Sequence, residues 1–226
     1  MPLRAIGLRV GGVEHGFGTR DEPVPDEYRV VRARQVHGAA LVWPNDATPS
    51  PAGDADALLT DRPGLAVAVA TADCVPVLIA APGARVVAAV HAGWRGTLAG
   101  IVPTVVDELR SRRGVPATEL RVALGPSIDG CCFEIEREIA ARFADRFGDE
   151  MWSAWRDGRP RDDVPRGTLD LRAVNRRLLL AAGVPDAAIE FVGPCTFCGD
   201  AGFASYRRDG ATAGRQLSWI ALQPAP

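Results

Sequence analysis

Two continuously apolar segments, at residues 65–70 and 86–90, constrain the fold of this chain more than any other feature. Both are rich in valine and alanine and lack any alternation of polar and apolar residues. Such runs are typical of central strands that are covered on both faces, because strands with one face in water alternate. Asp73, Pro76 and Pro82 interrupt the surrounding apolar stretch and exclude a membrane span. We therefore expect buried strands at the centre of the fold.

The pattern around these segments predicts an α+β fold. Short strands bounded by glycine, proline and aspartate are predicted at residues 13–18, 28–36, 39–43, 57–60, 65–70, 76–80, 85–91, 120–124, 189–192, 203–206 and 217–222. Apolar residues recur at helical spacing between Gly96 and Gly114, at residues 134–147 and at residues 169–182. This order, without strict alternation of strand and helix, indicates a single domain over residues 1–226 with a mixed β-sheet core and flanking helices.

The charged residues exclude several kinds of function. All 26 basic residues are arginine, and 28 acidic residues bring the formal net charge to −2. Without lysine the chain has no Schiff base, no lysine general base and no Walker-type phosphate loop. The near-neutral balance also argues against a nucleic-acid partner, because such proteins usually carry a basic excess.

Cysteine usage and the first residues predict the compartment. Five cysteines, an odd number in a chain of 226 residues, favour a reducing compartment over a disulfide framework. The first residues contain no apolar signal-peptide core. We therefore expect a cytoplasmic protein that does not bind a membrane. The sequence leaves the oligomeric state open and favours a monomer.

Three turns that follow predicted strands contain candidate metal ligands. His37 lies in the motif QVHG, Cys74 in TADCVP and His91 in HAGWRG. Two imidazoles and a thiolate suit zinc, and three protein ligands leave a fourth position for water or substrate. The wide spacing forms no local metal motif, so plain structural roles for these residues are the alternative. A further alternative is a metal-free hydrolase in which Cys74 is the nucleophile and His91 its base.

Arginines near two turns are candidate anion ligands. Gly93 and Gly96 flank the start of a predicted helix, where free backbone N–H groups and the helix dipole favour a phosphate. Arg95 would add a two-pronged contact; the alternative is that the glycines only form the turn. Arg207 and Arg208 follow a later predicted strand and offer a second anion site, although a solvated surface is the commoner role of such a pair.

The other four cysteines form two close pairs. Cys131 and Cys132 are adjacent at a predicted strand-to-helix junction, so that one thiol can face a site while the other packs. Cys195 and Cys198 form a CxxC motif. Without a second pair or a nearby histidine, an isolated CxxC does not predict a structural zinc site. The sequence therefore assigns no metal to these four residues.

Five motifs occur in an order that is specific as a set. They are QVHG at residues 35–38, ADCVP at 72–76, HAGWRG at 91–96, GPSIDGCCFE at 125–134 and the segment 203–215. Together they resemble a bacterial family long described as the multicopper polyphenol oxidoreductase, or laccase, domain. Members are described as purine nucleoside phosphorylases with adenosine deaminase activity, and one as a peptidoglycan editing factor. The resemblance covers nearly the whole chain.

The resemblance implies a metal site and a fold. The family's metal ligands match His37, Cys74 and His91, and its HGF-x-TR element is similar to residues 15–20. The implied fold is a mixed sheet with flanking helices, shared distantly with cysteine-hydrolase toxins. Three histidines in the whole chain are too few for the copper sites of multicopper oxidases. Zinc, and not copper, is therefore the expected metal.

The resemblance also implies the reaction. The expected enzyme cleaves adenosine, inosine, guanosine and methylthioadenosine with phosphate and deaminates adenosine; a non-enzymatic cell-wall editing factor is the alternative. The resemblance suggests four residues that contact substrate or phosphate: Arg20, Arg95, Cys131 and Arg207. It also suggests His15 as the general acid. The chain departs from the family pattern after Arg20, where a Gly-Gly stretch and a helix are missing, and this shortening affects the N-terminal wall of the pocket.

Overall fold

The elements of secondary structure are taken from a computed structural model that describes residues 1–20, 22–158, 165–199 and 202–224. Its strands are β1 Val13–Arg20, β2 Arg29–Val31, β3 Leu41–Val42, β4 Ala57–Thr60, β5 Leu65–Thr71, β6 Val75–Ala81, β7 Val86–Ala92, β8 Arg121–Leu124, β9 Glu134–Glu136, β10 Trp155–Asp157, β11 Arg166–Leu169, β12 Ile189–Phe191 and β13 Gln216–Leu222. Its α-helices are α1 Trp94–Ala99, α2 Ile101–Arg113, α3 Arg137–Phe147, α4 Leu171–Ala181 and α5 Tyr206–Asp209.

Within the described residues these strands form three sheets. The largest has the order β12-β8-β6-β7-β4-β3, the second β1-β13-β5-β2 and the smallest β10-β11-β9. The β12–β8, β3–β4 and β2–β5 pairs are parallel and the others are antiparallel. The fold is thus mixed and of the α+β class, as the sequence predicts.

The two larger sheets pack face to face. Their shared core contains Phe17, Val67, Leu78, Ala89 and Ile220, each at most 1% exposed. Side chains on the other face of the largest sheet pack against α2, α3 and α4 in a second core. This explains the two apolar runs, because β5 and β7 are each buried on both faces. They lie in different sheets, so the segment between β5 and β6 crosses from one sheet to the other.

Several predicted elements differ from the structure. The sequence predicts a strand at residues 203–206, but α5 begins at Tyr206, where the Ser205 hydroxyl accepts a hydrogen bond from the Arg208 amide and caps the helix. The predicted helix 134–147 begins only at Arg137, since Glu134–Glu136 alternates outward and inward and pairs with β11. No helix in the described ranges is long and apolar enough to cross a bilayer.

Candidate metal centre and cavity

The structure brings together the three metal ligands that the sequence predicts. The donor atoms of His37, Cys74 and His91 all lie within 4.8 Å of one another. Val75 pairs with Ala92 in the register of β6 and β7, so the preceding Cys74 lies beside the end of the strand that contains His91. Two imidazoles and a thiol at this separation fit a divalent metal ion.

Unusual backbone conformations orient two of the three ligands, His37 through its own backbone and Cys74 through that of the preceding Asp73. His37 and Asp73 have φ angles of 60° and 84°, in the left-handed region that most residues avoid. The Asp73 carboxylate holds its turn, because Oδ1 accepts from the Thr196 hydroxyl and Oδ2 from the Arg207 amide, both at 2.7 Å. Gly93 leaves the cluster its space, since a Cβ there would lie only 3.0 Å from the Cys74 sulfur and 3.2 Å from Cδ2 of His37. The surrounding loops therefore fix the turn that presents Cys74.

Asp56, which the motifs do not predict as a site residue, organises the centre. Its carboxylate is fully buried, and Oδ1 lies 2.7 Å from Nδ1 of His91. The same carboxylate accepts the backbone N–H groups of Val36, His37 and Gly38 at 3.2, 3.0 and 2.7 Å. A carboxylate that orients a ligating histidine is a common partner of metal sites. The signal in the sequence is an aspartate directly before the buried strand β4.

The charges of the cluster are coupled. Burial raises the pKa of the Cys74 thiol, but hydrogen bonds with His37 and His91 outweigh it and lower the pKa to about 7. Burial lowers the pKa of His91, but its hydrogen bonds with Asp56 and Cys74 raise it to about 9. Cys74 therefore reaches the thiolate form, which binds metals, near neutral pH. A metal ion at this position competes with the proton of His91.

A cavity of about 500 Å³ opens onto the three ligands. Its wall also contains Phe133 and Tyr206 as aromatic groups and Arg207 and Arg215 as cations. The guanidinium carbon of Arg207 lies 5.6 Å from the centre of the Phe133 ring, and its Nη1 donates to the Glu134 carbonyl at 3.0 Å. The volume lies in the usual range for small-molecule sites. The sequence predicts Arg207 as an anion ligand but gives no such signal for Arg215.

Two other predicted phosphate ligands do not line this cavity. Arg95 lies in a separate pocket with Arg142 and Arg146, and its guanidinium carbon is 4.2 Å from the centre of the Trp94 ring. Arg20 forms an ion pair of 2.8 Å with Asp209. The turn at residues 93–96 thus places Trp94 and Arg95 away from the metal ligands, although His91 is only four residues away.

His15, the predicted general acid, is a buried residue of β1. Its Nε2 accepts a hydrogen bond of 2.9 Å from the Ala5 amide, and it borders a different pocket together with Arg4 and Arg9. Burial and these two arginines lower the pKa of His15 to about 4. An imidazole that is neutral at pH 7 and bonded to the backbone outside the cavity does not have the placement that a general acid needs.

Cys131 lies in a second cluster rather than in the cavity wall. The sulfurs of Cys131, Cys132, Cys195 and Cys198 are all within 4.8 Å of one another. The CxxC motif is therefore not isolated, and the reason for excluding a metal site there is wrong. The sequence could not show this, because 67 positions separate Cys131 from Cys198.

Comparison with known proteins identifies the family. The family described as "Multi-copper polyphenol oxidoreductase laccase" matches residues 21–223, and the chain belongs to it. A purine nucleoside phosphorylase named YlmD from Geobacillus stearothermophilus is 36% identical over 203 residues, which are 85% of this chain and 72% of that protein. An adenosine deaminase named RL5 from an unknown prokaryotic organism is 39% identical over 73% of this chain and 61% of its own length. These relatives are named as enzymes.

A solved structure has the same fold. The crystal structure of YlmD from Geobacillus stearothermophilus superimposes with a TM-score of 0.86 at 29% identity and covers 99% of this chain and 97% of its own. A Bacillus licheniformis protein named YfiH gives a TM-score of 0.81 at 32% identity, over 88% of this chain and 76% of that chain. The resemblance inferred from the five motifs is thereby confirmed.

Proposed function

We propose that this chain is a zinc-dependent purine nucleoside phosphorylase that also deaminates adenosine. The observation that supports the proposal is one cavity lined by both the His37–Cys74–His91 cluster and two arginines. The names of the relatives point to the same two activities. The expected substrates are adenosine, inosine, guanosine and methylthioadenosine, with phosphate as the second substrate. All five cysteines are free thiols, which fits the expected cytoplasmic location.

The residues of the cavity suit the two parts of a nucleoside reaction. Phe133 and Tyr206 offer aromatic surfaces for a purine ring. Arg207 and Arg215 offer planar cationic groups for a phosphate, and in the part of the chain that the structure describes their guanidinium groups bond backbone carbonyls rather than carboxylates. Their positive charge is therefore available to neutralise a bound anion. Because the chain has no lysine, arginine is the side chain that must supply this charge.

The proposed phosphorolysis exchanges one bond at the ribose. A phosphate oxygen forms a bond to C1′ of the ribose while the bond from C1′ to N9 of the purine breaks. The electron pair of that bond stays on the purine, which takes up a proton, and ribose 1-phosphate is the second product. Arg207 and Arg215 would hold the phosphate against this carbon and stabilise its charge. In deamination, water adds at C6 of adenosine and ammonia leaves.

Zinc is the metal that best suits the ligands. Two imidazoles and one thiolate are borderline-soft donors and leave a position open. When bound to these residues, zinc would supply Lewis-acid chemistry that lowers the pKa of a water molecule. The chain prepares the site, because Asp56 holds Nδ1–H of His91 and leaves Nε2 to face Cys74.

A metal-free cysteine hydrolase is the second candidate, and one observation favours it. The lowered pKa of Cys74 beside His91, which Asp56 orients, is also the arrangement of a cysteine nucleophile and its base. The third donor supports the metal, because His37 lies within 4.8 Å of both and a nucleophile with one base does not need it. Full activity of the metal-free protein, lost when iodoacetamide alkylates Cys74, would reverse this choice.

One assay tests the proposal. The purified protein is incubated with each of the four nucleosides, with and without phosphate, and the products are identified by mass spectrometry. We expect free base and ribose 1-phosphate only when phosphate is present, and inosine from adenosine in either condition. Removal of the metal with a chelator should stop both reactions, and zinc should restore them. No product at micromolar enzyme with stoichiometric metal would reject the enzyme and favour a non-enzymatic role.

A further inference from the structure

A second group of thiols lies outside the cavity of the proposed reaction. Cys131 and Cys132 occupy the turn before β9, and Cys195 and Cys198 occupy the loop after β12. Their four sulfurs lie within 4.8 Å of one another, with Cys195 buried and Cys131 and Cys198 exposed. We propose that these four cysteines bind a structural zinc ion that joins the two loops.

The sulfur distances fit a shared metal ion. Cys131 and Cys198 have their sulfurs 3.6 Å apart. A tetrahedral zinc with bonds of about 2.3 Å separates its sulfur ligands by roughly 3.8 Å. A disulfide would require about 2.05 Å. Four thiols at this spacing form a closed set of ligands, and a site with four protein ligands has no position for substrate.

The backbone is already arranged around the most buried sulfur. The Asp129 amide points at the sulfur of Cys195 at 3.4 Å. The amides of Phe197 and Cys198 donate toward the same sulfur. Amides that donate to a thiol stabilise its thiolate form, which is the form that binds zinc.

Backbone hydrogen bonds also position the loop that contains Cys131 and Cys132. The amides of Cys132 and Phe133 both donate to the Asp129 carbonyl at 2.9 Å, and this turn brings two adjacent cysteines to the cluster. Asp129 thus bonds to both halves of the site through its own backbone. This arrangement explains the adjacent cysteines, for which the nucleoside reaction gives no reason.

Two arginines hold the loops around such a site, and each also pairs with a carboxylate, Arg208 with Asp209 and Arg172 with Asp129. Four thiolates around Zn²⁺ leave a net charge of −2, which the backbone N–H groups that face Cys195 would partly offset. Arg208 donates to the carbonyls of Thr196 and Phe197 within the CxxC loop, at 2.8 and 3.4 Å. Arg172 pairs with Asp129 at 2.5 Å, next to the other half of the cluster.

The proposed ion would stabilise one wall of the cavity. It links Cys131 to Cys198 across 67 residues, and closing a loop of this length removes much freedom from the unfolded chain. One loop continues into Phe133, which lines the cavity. The other contains Thr196, whose hydroxyl donates to Asp73, the residue before Cys74. Through Thr196 and Asp73 the ion would therefore help to fix the position of Cys74 without contacting substrate.

Metal counting tests the inference without any assay of activity. The full chain is purified under reducing conditions without added metal, and zinc is measured by mass spectrometry. We expect two zinc ions per chain in the wild type, one in C74A, one in C198S and none in the double variant. C74A is the matched control, because it removes a cysteine from the other group. In C74A refilled with cobalt, the intense sulfur-to-cobalt absorption of a four-thiolate site should appear.

The outcomes that overturn the inference are distinct. One zinc in the wild type and none in C74A would leave the four cysteines without a metal, and so would a mass lower by two hydrogens from a disulfide. Iron with visible colour would reject zinc as the metal. If C198S does not fold, the zinc content and cobalt spectrum of C74A still decide. An enzyme with two zinc ions and no nucleoside activity would reject the proposed function and leave this inference standing.

Discussion

The two cysteine-containing clusters of this molecule differ in what supports them. His91 and Cys74 lie at the ends of strands in the largest sheet, and a buried carboxylate, Asp56, binds His91 and the backbone around His37. The four-cysteine cluster lies on two loops whose positions depend on backbone amides and, in our proposal, on the metal itself. The first is organised by the fold, whereas the second would help to organise the fold.

The two clusters also differ in the number and kind of their metal ligands. Three mixed donors beside a cavity leave a position open for chemistry, whereas four thiols on two loops would fill every position of a zinc ion. Metal loss should therefore have opposite consequences in the two places. At the first cluster it should stop the reaction and spare the fold, and at the second it should weaken the fold first.

The largest effect is expected for Cys74→Ala. The variant should lose one zinc ion, and turnover should fall by at least about a hundredfold, since even residues behind the ligands affect metal sites by 10- to 100-fold. Circular dichroism should show an intact fold, because the strands on both sides of Cys74 are buried independently of its sulfur. Gross unfolding of this variant would make Cys74 a structural residue and remove the contrast between the clusters.

Replacing Asp56 by Asn should give the next largest effect. The amide cannot match the carboxylate that accepts from His91 and from three backbone N–H groups. We expect zinc affinity at the first cluster to fall by about 10- to 100-fold, measured by competition with a chelating dye. The matched control is Asp54→Asn, two residues away, where an exposed carboxylate pairs with Arg34 at the surface. Equal zinc affinity in D56N and D54N would show that Asp56 does not orient the ligand.

An intermediate effect is expected for Arg207→Lys. A lysine keeps the charge but loses the planar two-pronged contact, so the phosphate KM should rise by about tenfold, or about 1.4 kcal/mol. Zinc content and phosphate-independent deamination should change less. Arg95→Lys is the matched control, because Arg95 lies in a separate pocket against Trp94. A larger effect for Arg95 would instead move the phosphate to the helix start, as the sequence alone predicts.

The sequence predicts more of the first cluster than of the second, for physical reasons. Strand ends are visible as breaks in apolar runs, so His37, Cys74 and His91 could be placed at the edge of one site. Asp56 could not, because its role depends on the pairing of β4 with β7, which places it beside His91. The positions of Arg95 and His15 depend on which side of a turn or strand faces the cavity, and periodicity does not show this.

The four-cysteine cluster depends on contacts that are remote in sequence. Each pair of cysteines can be explained locally without a metal. The two loops meet because β12 pairs in parallel with β8, which places the segments after both strands side by side. A parallel register between remote strands leaves no trace in the spacing of residues. The same limit applies to the two-sheet packing, which the apolar runs of β5 and β7 predict as burial but not as separate sheets.

The smallest effect should come from Thr196→Val, which removes the hydrogen bond between the CxxC loop and Asp73, the residue before Cys74. The Thr196 hydroxyl is buried and donates to Oδ1 of Asp73 at 2.7 Å. Its loss should lower the free energy of unfolding by about 1–3 kcal/mol, because a buried carboxylate oxygen loses its partner. Both zinc ions should remain, and the nucleoside KM should rise by a few-fold as the turn before Cys74 loosens. Thr212→Val is the control, since that exposed hydroxyl donates to the nearby Asp209 carbonyl at 2.8 Å. If T196V matches T212V in both stability and KM, the two clusters act independently, and the proposed zinc of the four cysteines has no path through Thr196 to the reaction.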